Sequence, residues 1–194
     1  MHSVYHVTRG DSNLVLSLLD QMADLYVEVY AEPPYDSGPL WQRDAFLDRT
    51  RRQAARPGFA IVLAWSEDKE LIGYSFGLPF EKGRWWSGNA SQPPDEVQSA
   101  SKFALIELIL RKPWRGRGIG RQMHDLLLAG RPEQYAILTA VPTSAARQLY
   151  QRWGWSQVGT ARHTPDSPIL DALVLHLPGT DQGNHRPTSD PTVR

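Results

Sequence analysis

The stretch Arg111-Lys112-Pro113-Trp114-Arg115-Gly116-Arg117-Gly118-Ile119-Gly120-Arg121 joins an apolar run, Phe103 to Leu110, to a helical repeat of Ile119, Met123, Leu126 and Leu127. Three glycines at alternate positions between a strand and a helix let the backbone approach a ligand closely and turn through left-handed angles. The helix that follows presents unpaired N–H groups and the positive end of its dipole. Five cationic side chains fall between Arg111 and Arg121, with no acid among them. Together these features predict an anion site suited to phosphates. The competing reading is a tight strand–helix connection with solvated arginines. The spacing is G-x-G-x-G, so it matches neither the G-x-G-x-x-G dinucleotide fingerprint nor a Walker loop, which needs G-K-[ST].

Upstream, Tyr5 to Thr8 is β-prone, and Asp11 and Ser12 offer N-cap oxygens. Val15, Leu18, Leu19, Met22, Leu25, Tyr26 and Val29 follow at helical spacing and stop before Pro33-Pro34. A second helix is predicted over Leu40 to Ala55, with Trp41, Phe46 and Leu47 turned to a core and Arg43, Asp48, Arg51 and Arg52 to water. Phe59 to Trp65 and Leu71 to Leu78 read as adjacent antiparallel strands around a turn at Ser66 to Lys69. Gly83 to Ser101 reads as one long loop containing Trp85 and Trp86.

Downstream, Ala136 to Val141 is a strand, and Thr143 to Trp153 a helix closed by Gly154. Two more strands follow, Ser156 to Arg162 and Ile169 to Leu177. The order predicts an α/β fold with a mixed, mostly antiparallel sheet of about seven strands flanked by helices. Its strand–helix–strand units require a parallel pair. Residues 1–178 are expected to form one domain, and the polar tail from Gly179 to Arg194 a disordered extension.

Composition narrows the function. The chain has 194 residues, 41% of them apolar, enough for one core. Lys+Arg and Asp+Glu are both 21, and that balance argues against a nucleic-acid partner. There is no Cys, which excludes disulfides, thiolate metal sites and a cysteine nucleophile. The six His lack H-E-x-x-H spacing, so no metal is expected, and His124 is expected at the surface. No apolar run approaches the roughly 20 residues needed to span a bilayer. The expectation is a cytoplasmic protein with no membrane partner.

Arg115-x-x-Gly118-x-Gly120 resembles the [QR]-x-x-G-x-[GA] acetyl-CoA pyrophosphate loop of the GNAT N-acetyltransferase superfamily. Ala146-Arg-Gln-Leu-Tyr150-Gln-Arg-Trp-Gly154-Trp155 resembles that family's A-x-x-x-Y-x-x-x-G-[FW] segment. The resemblance covers residues 3 to 178 and implies a GNAT-like sheet whose central parallel strands splay apart. It implies that backbone amides of Arg115, Gly116, Arg117, Gly118, Ile119, Gly120 and Arg121 hold the pyrophosphate of acetyl-CoA. Ile109 and Leu110 would pair with the pantetheine amides, and an N–H near Leu110 would polarise the thioester carbonyl. Tyr150 would protonate the departing thiolate. Its alternative is a core aromatic with a satisfied hydroxyl.

The chain departs from the pattern in two places. Thr143 stands where the family often has a cofactor-contacting asparagine, and the general base is not fixed. Glu107 is the ionisable residue of the Phe103–Leu110 run and the candidate base. Its parity opposes Ala104 and Ile106, near which several relatives place a base, unless the strand bulges. The bland alternative is a carboxylate satisfied by backbone donors or an arginine. Pro33-Pro34-Tyr35, Trp41 and Trp85-Trp86 could form an aromatic acceptor cleft, a packing flap or an interface patch. The expected reaction is acetyl transfer to a primary amine of a small molecule, such as a natural product or antibiotic, by direct attack in a ternary complex. The alternatives are a peptide or protein N-terminus as acceptor and a non-catalytic acyl-CoA-binding module. The expected assembly is a monomer or a homodimer.

Overall fold

The Asp11 carboxylate accepts the Leu14 N–H at 2.8 Å and so starts helix α1, Ser12–Tyr30. That helix buries Val15, Leu19, Met22, Leu25 and Tyr26 on one stripe. It packs with α2, Arg43–Ala54, which contributes Phe46. The computed structural model describes residues 4–178, so the tail expected from Gly179 onward lies outside them.

Strands β1 (Tyr5–Gly10), β2 (Ala60–Ser66) and β3 (Leu71–Phe80) form an antiparallel meander. The chain then makes β4 (Asn89–Ala90), helix α3 (Asp95–Ser99) and β5 (Lys102–Leu110). Helix α4 (Ile119–Leu128) leads to β6 (Tyr135–Ala140), and helix α5 (Ala145–Arg152) to β7 (Ser156–Arg162) and β8 (Leu170–His176). The sheet order is β1-β2-β3-β5-β6-β8-β7-β4, eight strands among the described residues where about seven were expected. The added strand lies in the segment read as a loop. Its two residues pair with Arg162 and Ala161, too few to show an alternating pattern. Helix α3 is anchored by Lys102, whose buried ammonium donates to the carbonyls of Val97, Gln98 and Ala100 at 3.0, 3.1 and 2.8 Å.

Two features of β5 place everything that follows. It pairs with β6 in parallel only from Lys102↔Tyr135 to Ala104↔Ile137, and beyond that point the two strands part. It also bulges: Phe76 faces Glu107 and Gly77 faces Leu105, leaving Ile106 as the extra residue. A Cβ at Gly77 would sit 2.3 Å from the Ala104 carbonyl oxygen, so the bulge closes only against glycine. Ile119, Met123 and Leu127 of α4 fill the core on one side of the sheet, and α1 with α2 fills it on the other.

His124 corrects an expectation. It is buried, not at the surface. The inner stripe of α4 takes in residues 119, 123, 124, 127 and 128, one position wider than its apolar repeat. The His124 Nε2 accepts the Trp155 Nε1–H at 3.0 Å, so its Nδ1 carries the proton and donates to Asp125 at 2.8 Å. Burial holds its pKa below the ordinary histidine value. The unfolded chain therefore binds this proton more readily than the folded one, and stability must fall as pH drops below about 6.5. Trp155→Phe leaves the buried ring nitrogen without a donor, at an expected cost of about 1–3 kcal/mol. Urea unfolding at neutral and acid pH measures both effects. A variant as stable as the parent would rule out this bond as a contributor.

Candidate active site at the parting strands

The glycine-rich segment after β5 begins with a short 3-10 turn, Lys112–Trp114. Gly116 and Gly118 then adopt left-handed angles, φ 76° and 80°. A Cβ at either would meet nothing within 4 Å, so the backbone angle, not space, requires glycine there. The Gln122 N–H makes the first bond into the α4 ladder, to the Gly118 carbonyl at 3.0 Å. No N–H from Gly116 to Arg121 has an acceptor among the described residues. These amides and the α4 dipole fit a diphosphate.

The five cations of this segment are not all available. Arg111 pairs with Glu28 at 3.1 Å and also with Glu70. Arg115 is held by both carboxylate oxygens of Glu32 at 2.8 Å, and its Nε donates to the Leu110 carbonyl at 2.8 Å. The Arg115 guanidinium keeps the Glu32 carboxyl below the usual carboxylate range. Arg121 pairs with Asp125 at 2.6 Å. The acids missing from the segment thus come from α1 and the turn after it, the β2–β3 turn and α4. Arg117 lies over the Trp114 ring, 5.1 Å from its centroid.

Where β6 leaves, β5 exposes an edge. The Arg111 N–H donates to Ile72 at 2.8 Å, and Gly73 stands opposite Leu110, Tyr74 opposite Ile109 and Ser75 opposite Leu108. In an antiparallel ladder these pairs alternate between bonded and unbonded. Leu108 and Leu110 therefore turn their backbone groups toward the gap, and Ile109 turns its own toward β3. Of the two positions the family resemblance pointed to, Leu110 faces the gap, and Leu108 is the position it did not include.

A cleft of about 550 Å³ opens at this gap. Residues 105–108 of β5 and 138–141 at the end of β6 border it, and so do Glu107 and Tyr150. The bulge answers the parity question by swinging Glu107 to the α1 side, where the Tyr30 hydroxyl donates to Oε2 at 2.8 Å. Arg49 lies 3.5 Å from Oε1 and also donates to the Tyr26 hydroxyl at 3.1 Å. Burial pushes the Glu107 carboxyl up to about 6, restrained by Arg49 and by the Tyr30 hydrogen bond. An arginine does satisfy this carboxylate, and the same carboxylate faces the cleft. It has about four acceptor sites, and these two partners leave others open.

Tyr150 is buried edge-on against Trp153 and Trp155, with centroids 5.8 and 5.9 Å away. Desolvation raises its pKa, with smaller contributions from Tyr35 and Glu107, so it stays protonated near neutral pH. Thr143 is exposed in the turn before α5 and does not border the cleft, while Ser144 beside it caps the helix at 3.1 Å. Tyr35, Trp41, Trp85 and Trp86 line the cleft, but Pro33 and Pro34 do not. Lining residues missed in the sequence include Tyr30, Arg49, Arg56, Arg84 and His163. Arg49 lies three positions after Phe46, on the inner face of α2, and that spacing was readable. His163, whose Nε2 lies 3.2 Å from the Thr139 hydroxyl, carried no such signal.

The model of the acetyltransferase (GNAT) family matches residues 19–155, which include both the amide loop and Tyr150. The chain belongs to the GNAT acetyltransferase family. A GCN5-like protein acetyltransferase from Mycobacterium tuberculosis is 27% identical over 151 residues, 69% of this chain and 73% of the relative. Among solved structures, a histone acetyltransferase HPA2 and related acetyltransferase from Corynebacterium glutamicum superposes with a TM-score of 0.58 at 19% identity, covering 88% and 94% of the two chains. An aminoglycoside N-acetyltransferase AAC(6')-Iy in complex with CoA gives 0.54 at 14% identity, covering 81% and 91%. At such identities the structures share the fold. The GNAT chain described here is accordingly an acetyl-CoA-dependent acyltransferase.

Arg49→Met removes the cation that restrains Glu107. The carboxyl is expected to titrate above its present value of about 6, because desolvation then acts with less opposition. Carbon-13 NMR of the glutamate side chains against pH reads the shift. An unmoved or lowered titration would refute this electrostatic account.

Proposed function

We propose that this enzyme transfers acetyl from acetyl-CoA to a primary amine of a small molecule, by direct attack with both substrates bound. One observation carries the reading: Glu107 and Tyr150, a buried carboxylate and a buried phenol, border the same cleft where β5 and β6 part. The free amides from Gly116 to Arg121 support binding of the pyrophosphate, and the Leu110 amide, turned toward the gap, is the donor that would polarise the thioester carbonyl. In the reaction a bond forms from the amine nitrogen to the carbonyl carbon, and the carbon–sulfur bond breaks. Glu107, largely ionised at neutral pH, takes the proton the nitrogen loses, directly or through a water. Tyr150 is weakened as an acid by desolvation. It acts first as a hydrogen-bond donor to the sulfur as negative charge gathers there, and then supplies the proton. With no Cys in the chain, acetyl is not parked on a thiol.

The printed name of the mycobacterial relative favours a second reading, an amine on a protein or peptide. The aromatic walls of Tyr35, Trp41, Trp85 and Trp86 support the small, partly apolar acceptor instead.

Free-thiol release from acetyl-CoA across a panel of amines tests the proposal. Tyr150→Phe is expected to lower kcat at least about tenfold, with CoA affinity by calorimetry little changed. For the parent, kcat/KM should rise as pH climbs through about 6, because the carboxylate form of Glu107 is the base. Glu107→Gln should remove that inflection. Full turnover in Tyr150→Phe, or an unaltered profile in Glu107→Gln, would strip the residue of its role.

A further inference from the structure

The charge on the cleft wall is lopsided. Among the described residues that border it, Glu107 is the one acid, and it stands against Arg49, Arg56 and Arg84. Arg49 is engaged with Glu107 and Tyr26. Arg56 and Arg84 form no ion pair among the described residues. Arg56 follows the end of α2, and Arg84 follows β3 with its guanidinium over the Phe80 ring, 4.2 Å from the centroid. Arg84 is held below the ordinary arginine value by desolvation and by the nearby charge of Arg56, with the Glu81 carboxylate acting the other way. Two like charges facing one cavity raise the energy of the empty protein, and a bound anion between them relieves it. The buried Trp86 Nε1–H, which has no partner among the described residues, and the Trp85 ring belong to the same wall.

We propose that the amine acceptor carries an anionic group, a carboxylate or a phosphate, held by Arg56 and Arg84 while its amine lies toward Glu107. This rests on the acetyl-transfer reading of the same cleft and names its substrate class. A planar guanidinium grips either oxyanion bidentately. The arrangement also rejects polycationic amines, because a second ammonium would face two unpaired arginines.

The test uses a ladder of primary amines with alkyl or aromatic spacers of increasing length, each ending in a carboxylate, a phosphate, a carboxamide or a second amine. At the best spacer, an anionic member is expected to exceed its carboxamide at least about tenfold in kcat/KM, roughly 1.4 kcal/mol, with the diamine lowest. Whether carboxylate or phosphate ranks first separates the two anions. Arg84→Gln and Arg56→Gln should each bring the anion-to-carboxamide ratio toward one. Arg84 is exposed, so its variant is expected to fold. Calorimetry on the same ladder reads binding without turnover. Anionic members that bind tighter while no thiol is released would uphold the anion site of Arg56 and Arg84 and overturn acetyl transfer to these amines. Carboxamides or diamines that turn over as well as their anionic counterparts at every spacer would overturn the inference and leave acetyl transfer standing. Equal binding of all members with no turnover would overturn both.

Discussion

Strands β5 and β6 share three residue pairs and then separate, and the candidate active site occupies the space this leaves. A continuous parallel ladder would have satisfied the backbone groups of Leu108 and Leu110 within the sheet and left no room for a substrate. Separation alone would not have been enough, because a regular β5 would turn Glu107 away from the α1 side. The bulge at Ile106 supplies the change of face, and it closes only because Gly77 has no side chain to strike the Ala104 carbonyl. One extra residue and one missing methyl group thus decide where the candidate base points. Bulges concentrate next to active sites, where they re-aim a side chain.

The electrostatics of the site differ from what its arginine content suggests. A segment with five cations and no acids looks like a phosphate magnet. Folding brings Glu28, Glu32, Glu70 and Asp125 to three of them. What remains for an anion is Lys112, Arg117 and the row of unpaired amides, whose dipoles are fixed by the backbone. Exposed ion pairs contribute little stability and weaken with salt. Preorganised amides need no side chain to be ordered on binding, so the loop can be at once well tied down and receptive. Net charge zero for the whole chain therefore coexists with a locally cationic cleft wall.

Much of this was legible in the chain itself. The hairpin of β2 and β3 was readable because two apolar runs flank a short polar turn. The amide loop was readable because glycine at 116 and 118 is a backbone requirement. Tyr150 stood out on a helix with a clear inner face. Other parts depend on partners distant in sequence. The register slip that carries Glu107 across the strand is set by Phe76 and Gly77, and pairing across strands is invisible to a one-strand pattern. The acids that hold Arg111 and Arg115 lie as far as 83 residues away. His124 was misjudged because its polarity suggested water, whereas Trp155 and Asp125 offer a complete set of partners inside.

The end of α1 ties these elements together, although no motif marks it. Within five residues, Glu28 reaches Arg111, Tyr30 reaches Glu107 and Glu32 reaches Arg115. One short stretch thus grips the exit of β5, the candidate base and the entry of the amide loop. These three contacts hold fixed the spacing between the amide loop and Glu107, the candidate base. That spacing must be right to a fraction of an ångström if catalysis comes mainly from holding two reactants in place. The half of the chain without recognisable chemistry therefore acts on the reaction through geometry. It also brings Tyr35 and Trp41 to the cleft, so the segment that positions the candidate catalytic groups also shapes the cleft wall.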